Sequence, residues 1–86
     1  MATLIAYHDV EDVLHWLASE VRAQAFASVG ATVRTFVDTK GGNTVGLLVE
    51  APDVDALMAM LSSPEAAEAM ATDRVHPETL VMLAEA

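Results

Sequence analysis

The 86-residue sequence contains no cysteine. That absence excludes disulfide staples, thiolate metal ligation, iron–sulfur clusters and a thiol nucleophile together. Basic residues are scarce, four against thirteen acidic ones, giving a formal net charge of −9. A phosphate backbone is repelled by such a surface, and no basic stripe interleaved with aromatics offsets it, so nucleic acid is not expected as a partner. No apolar run reaches the roughly 18–20 residues that span a bilayer. The opening segment MATLIAYHDV lacks both the positive stretch and the cleavage site of a signal peptide. The expectation is a soluble, cytoplasmic protein with no membrane partner. There is no H-x-H or H-E-x-x-H pair among the three histidines, so no metal site is expected. Nor is there a G-x-S-x-G elbow, a phosphate loop or a dinucleotide fingerprint, and no bound cofactor is expected.

What the sequence does contain is apolar: 53% of its residues are hydrophobic. A chain of this length reads as one domain over residues 1–86, with no linker or low-complexity tract to divide it. Such a domain buries only roughly 60–65% of its unfolded surface, so a single core is marginal. Without disulfides or metals, the routes to stability that remain are close packing and oligomerisation.

Along the chain, Thr3 to His8 reads as a first strand carrying Leu4, Ile5 and Tyr7. Asp9 is a candidate N-cap for a helix running to about Val29, with Val10, Leu14, Leu17, Val21 and Ala25 on its inner stripe. Gly30 supplies the helix stop. Thr32 to Asp38 forms a second strand, Lys40-Gly41-Gly42-Asn43 a hairpin turn, and Thr44 to Glu50 an antiparallel third strand. Asp53 opens a second helical region, and Ser63-Pro64 restarts it, so two short helices or one kinked helix are expected, ending near Thr72. A loop over Asp73 to Pro77 then leads into a last strand from Thr79 to Ala84. The order is β-α-β-β-α-β, the split-βαβ or ferredoxin-like arrangement, an α+β fold with a four-stranded antiparallel sheet and helices on one face.

A sheet covered on one face alternates apolar and polar residues. These strands do not. Leu47-Leu48-Val49, Leu80-Val81-Met82-Leu83 and Leu4-Ile5 place large apolar side chains on both faces. The uncovered face is then an apolar patch of several hundred Å², larger than soluble monomers tolerate. A second copy packed sheet to sheet is the expected cover, making a homodimer.

Four stretches, His8-x-Val10-x-Asp12-x-x-x-Trp16, the hairpin, Ser63-Pro64-Glu65-x-x-x-Ala69-Met70 and Pro77-Glu78-Thr79-x-x-x-Leu83, together resemble the dimeric α/β-barrel superfamily. The resemblance covers nearly the whole chain and is greatest to small bacterial proteins described as antibiotic-biosynthesis-monooxygenase-like or as cyclases. It implies a ferredoxin-like protomer whose sheet packs on its twin's, with ligands held between the helices and the helix-facing side of the sheet. Members include cofactor-independent quinol monooxygenases, haem-degrading enzymes, isomerases and polyketide cyclases. Two departures are visible here. The aromatic residue that often follows the motif's Asp is Val13, and the asparagine that assists the tryptophan in quinol monooxygenases has no counterpart, since Asn43 lies in the hairpin.

The residues able to carry chemistry are few. His8, at the mouth of the first helix, is the candidate acid or base, the alternative being a structural histidine bonded to local backbone or Asp12. Trp16 is a candidate cleft wall or a packing anchor. Tyr7, Phe36, Met58, Met70 and His76 are candidate pocket residues, the thioethers suiting an irregular apolar ligand. His15 follows Glu11 by one helical turn and reads as a surface pair. Two functions fit: a homodimer binding a small apolar or aromatic molecule, and a cofactor-independent monooxygenase, isomerase or polyketide-cyclase-type enzyme using His8.

Overall fold

The computed structural model describes residues 2–86. Four strands, β1 (Ala2–Val10), β2 (Thr32–Val37), β3 (Thr44–Ala51) and β4 (Val75–Ala84), form one antiparallel sheet in the order β2-β3-β1-β4. Between them run helices α1 (Val13–Ala18), α2 (Val21–Ala27), α3 (Val54–Leu61) and α4 (Pro64–Thr72), all against one face. The expected α+β ferredoxin-like architecture is the one the chain adopts.

The two central strands set the layers. Side chains alternate along a strand, so Leu4, Ala6, His8 and Val10 of β1 and Val45, Leu47, Val49 and Ala51 of β3 are buried beneath the helices. The outward positions form two rows across the sheet. One runs Phe36, Gly46, Tyr7, Val81 and the other Arg34, Leu48, Ile5, Leu83. Ile5, Tyr7, Phe36, Val81 and Leu83 are all exposed.

The first helical segment differs from its expectation. Asp9 belongs to β1, where its backbone N–H donates to Thr79 Oγ1 at 2.9 Å and its carboxylate accepts from Thr44 Oγ1 at 2.7 Å. The cap is Asp12, whose side chain accepts from the amides of Leu14 (3.0 Å) and His15 (3.2 Å). The expected single helix is also broken. Ser19 is extended (φ −74°, ψ 136°), its hydroxyl accepts from the Val21 amide at 3.3 Å, and the Trp16 carbonyl accepts from Arg22 Nη1 at 3.2 Å. Local side-chain bonds thus replace the backbone ladder. The break turns the buried face, so Trp16 and Phe26 are inside while Leu14 and Leu17 are exposed.

The second helical region breaks where Ser63-Pro64 predicts. Asp53 caps α3 through the Ala56 amide at 3.2 Å, and Ser63 caps α4 through the Ala66 amide at 3.2 Å with Pro64 in the first turn. After α2 and in the hairpin, Gly30 (φ +70°) and Gly41 (φ +77°) take the left-handed conformation that the chain reversals require.

β4 begins at Val75, four residues earlier than expected. Val75 and His76 pair with Val10 and Asp9; the register then shifts before Val81 pairs with Tyr7. Pro77 has no N–H to donate, and it falls in this irregular stretch of an edge strand, where a missing ladder bond is tolerated. Thr79 Oγ1 donates to the His76 carbonyl at 2.6 Å and closes the irregularity.

Leu57 is fully enclosed at 0% exposure while Leu14 is 78% exposed. Leu57→Ala is expected to lower unfolding free energy by about 2–5 kcal/mol, and Leu14→Ala by no more than about 0.5 kcal/mol. Urea denaturation midpoints at constant slope measure both, and equal losses would contradict this assignment of helix faces.

Candidate functional site

Between the helices and the inner face of the sheet lies a cavity of about 90 Å³. Leu4, Leu47 and Met82 form its floor, and Trp16, Phe26 and Met70 are among its walls. The lining is almost wholly apolar, with three polar side chains, His8, Arg22 and Asp73.

The alternation of β1 places His8 in the same inward row as Leu4 and Ala6, and the side chain is only 6% exposed. Its ring meets Trp16 edge to face, with centroids 5.9 Å apart and planes at 79°. Among the described residues, Nδ1 is buried without a hydrogen-bond partner. Burial is the largest influence on the imidazole and lowers its pKa from the ordinary 6.5, because the charged form loses its hydration. Arg22 pushes in the same direction, while the Asp9 backbone and the carboxylates of Asp9 and Asp73 oppose it.

Arg22 comes from α2, just past the helix break. Its guanidinium lies 3.9 Å from the Trp16 ring centroid and its Nη1 3.8 Å from Asp73 Oδ2. Burial lowers the guanidinium's pKa, against the pull of Asp73, though an arginine stays charged at neutral pH. Asp73 is the C-cap of α4 and is 4% exposed; its Oδ1 has no partner among the described residues. Trp16, Arg22 and Asp73 therefore join α1, α2 and α4 over the end of the cavity where His8 lies. Nearby, a ring N–H of His15 donates from Nε2 to the Thr72 carbonyl at 2.8 Å, a second tie between α1 and α4. The expected Glu11–His15 helical pair is absent, because Glu11 precedes α1.

Three of the sequence candidates, His8, Trp16 and Met70, line the cavity. Four do not. Tyr7 and Phe36 project from the opposite face of the sheet, by strand parity, where they flank a shallow groove around Gly46. Met58 is exposed on the outer side of α3, one position past the buried Leu57. His76 lies on β4 rather than in a loop, 3.8 Å from Glu78, away from the cavity. Arg22 and Asp73 were not among the candidates. The available signal was scarcity, since Arg22 is one of only four basic residues.

Chemically, the arrangement offers an apolar chamber with an uncharged imidazole and a neutralised ion pair at one end. A neutral histidine in such a place can accept a proton or a hydrogen bond. Among the described residues, no group of three or more His, Asp or Glu side chains is arranged to hold a metal ion.

No family model matches the sequence, and no curated protein matches it. Solved structures do. The chain superimposes over its full length on 97% of an antibiotic biosynthesis monooxygenase, at a TM-score of 0.65 and 13% identity. It likewise covers 91% of a candidate antibiotic biosynthesis monooxygenase from Deinococcus radiodurans at 0.62 and 16% identity. With 98% of its own length it covers 92% of a conserved protein of unknown function from Bacteroides thetaiotaomicron, described as a possible oxidoreductase, at 0.56 and 16% identity. The chain thus has the ferredoxin-like fold of the antibiotic-biosynthesis-monooxygenase-like proteins.

His8 gives the site a pH signature. Its pKa in the fold lies below 6.5, so the unfolded chain takes up the proton first as pH falls. The stability associated with neutral His8 is complete above about pH 6.5 and is lost as pH drops from there toward the lowered folded value. Unfolding midpoints recorded from pH 7.5 to 5.5 are expected to fall more steeply for the wild type than for His8→Leu. Parallel curves would refute the buried, uncharged state.

Proposed function

We propose that the protein is a single-domain homodimer that binds a small apolar or aromatic molecule in the cleft between its helices and sheet. The observation carrying this reading is the apolar cavity with polar side chains gathered at one end, the general form of a small-molecule site. Trp16 and Met70 serve as walls, and no cofactor is required. The dimer part rests on the outer sheet face, where two neighbouring rows carry Phe36, Tyr7 and Val81, and Leu48, Ile5 and Leu83. A contiguous face of this kind favours a twofold partner packed sheet to sheet. Tyr7 and Phe36 are then contact residues between copies rather than ligand contacts. The acidic surface and the lack of any helix long enough to cross a membrane among the described residues agree with a cytoplasmic location.

A second reading has a specific observation in its favour. His8 is uncharged, buried and free at Nδ1 beside Trp16, as a general base in a cofactor-independent monooxygenase, isomerase or cyclase would be. The solved structures described as monooxygenases share the fold and supply the reaction class.

Analytical ultracentrifugation at micromolar concentration tests the dimer. Twice the chain mass is expected for the wild type, and monomer for Ile5→Lys, which sets a charge between Leu48 and Leu83. A wild-type monomer would overturn the sheet-to-sheet pairing. The enzyme reading is tested with a panel of quinols and anthrones: His8→Ala is expected to abolish turnover while leaving the dimer mass unchanged. Turnover that survives the substitution would remove His8 from the chemistry.

A further inference from the structure

Two polar atoms bordering the cavity are unaccounted for. His8 Nδ1 and Asp73 Oδ1 are both buried, both without a hydrogen-bond partner among the described residues, and both belong to side chains that line the cavity. The residues are 6% and 4% exposed. Buried polar atoms are nearly always paired, and one left alone carries a desolvation penalty. Two such atoms bordering one apolar chamber form a built polar end.

The neighbouring charges restrict what can occupy that end. The Arg22 guanidinium is already engaged by Asp73 Oδ2, the Trp16 carbonyl and the Trp16 ring. It is therefore not an open anion receptor. An incoming carboxylate would meet Asp73 Oδ1, and an incoming cation would meet Arg22. A carbonyl oxygen can accept from a protonated Nδ1 but offers nothing to Asp73. A hydroxyl group both donates and accepts. It can donate to Asp73 Oδ1 while accepting from His8 Nδ1–H, in the tautomer that carries its proton on Nδ1.

We propose that His8 Nδ1 and Asp73 Oδ1 are the paired anchor for the hydroxyl of a small uncharged alcohol or phenol whose apolar body fills the cavity. The proposal deepens the small-molecule reading above and rests on it. The cavity volume of about 90 Å³ suits a small ligand body. Arg22 is a positioning residue. It holds Asp73 by one carboxylate oxygen and leaves the other facing the ligand.

The test uses the full-length protein and three probes of one shape, p-cresol, toluene and 4-methylbenzoate, in chemical-shift titrations read at the Trp16 indole and the inner-face amides of β1. A purely apolar chamber prefers toluene, because burying an unpaired hydroxyl is unfavourable. With the anchor present, p-cresol is expected to bind about tenfold or more tightly than toluene, and 4-methylbenzoate more weakly than p-cresol. In His8→Leu the preference for p-cresol is expected to shrink at least about threefold, with toluene affinity kept or raised. Equal or tighter binding of toluene by the wild type would overturn the anchor while leaving the cavity a ligand site. Tightest binding of 4-methylbenzoate would reassign the anchor to Arg22. A preference unchanged in His8→Leu would overturn the two-atom arrangement. No shift with any probe would overturn the small-molecule reading itself, and the anchor with it. The wild-type comparison stands whether or not the variant folds.

Discussion

The arrangement depends on one constraint, the two-residue alternation of β1 in the middle of the sheet. β1 is hydrogen-bonded on both edges, to β3 and to β4, so its register cannot slip without reversing both its faces. With Leu4, Ala6, His8 and Val10 inward, Ile5 and Tyr7 must point outward. The same parity therefore delivers a histidine to the cavity and an apolar pair to the open face. The candidate ligand site and the candidate subunit contact are two sides of a single strand.

The helices complete the chamber because they are short. A continuous helix from residue 10 to 29 would have turned Leu14 and Leu17 inward and left Trp16 at an edge. Ser19 interrupts the ladder, and the Trp16 carbonyl, which accepts from the Ser19 amide, also takes the Arg22 guanidinium. That contact carries Arg22 back over the indole and toward Asp73 at the end of α4. Three helices with few direct contacts to one another are thereby tied through one buried cation. A buried ion pair of this kind is a weak source of net stability, since desolvation offsets its attraction. Its effect here is positional, setting where Asp73 and Trp16 stand relative to His8.

The fold was legible to a large degree. Element order, the hairpin at Gly41, the caps at Asp53 and Ser63 and the doubly apolar strands all follow from local chemistry written in adjacent residues. The site was legible in part. His8, Trp16 and Met70 line the cavity, but Tyr7, Phe36, Met58 and His76 do not, because strand parity and helix rotation are decided by partners distant in sequence. Arg22 and Asp73 are 51 positions apart in sequence and meet only once α2 and α4 pack side by side.

By itself, the sequence determined the absence of cysteine chemistry, the acidic surface, the βαββαβ order and the excess of apolar residues for one small core, since each is a matter of composition or short-range pattern. Only the tertiary structure decided which face of β1 is inside, where the first helix breaks, how early β4 begins, and that His8, Trp16, Arg22 and Asp73 share one end of a cavity. Those are long-range outcomes. They depend on pairing register and on burial, which no segment of the chain specifies alone.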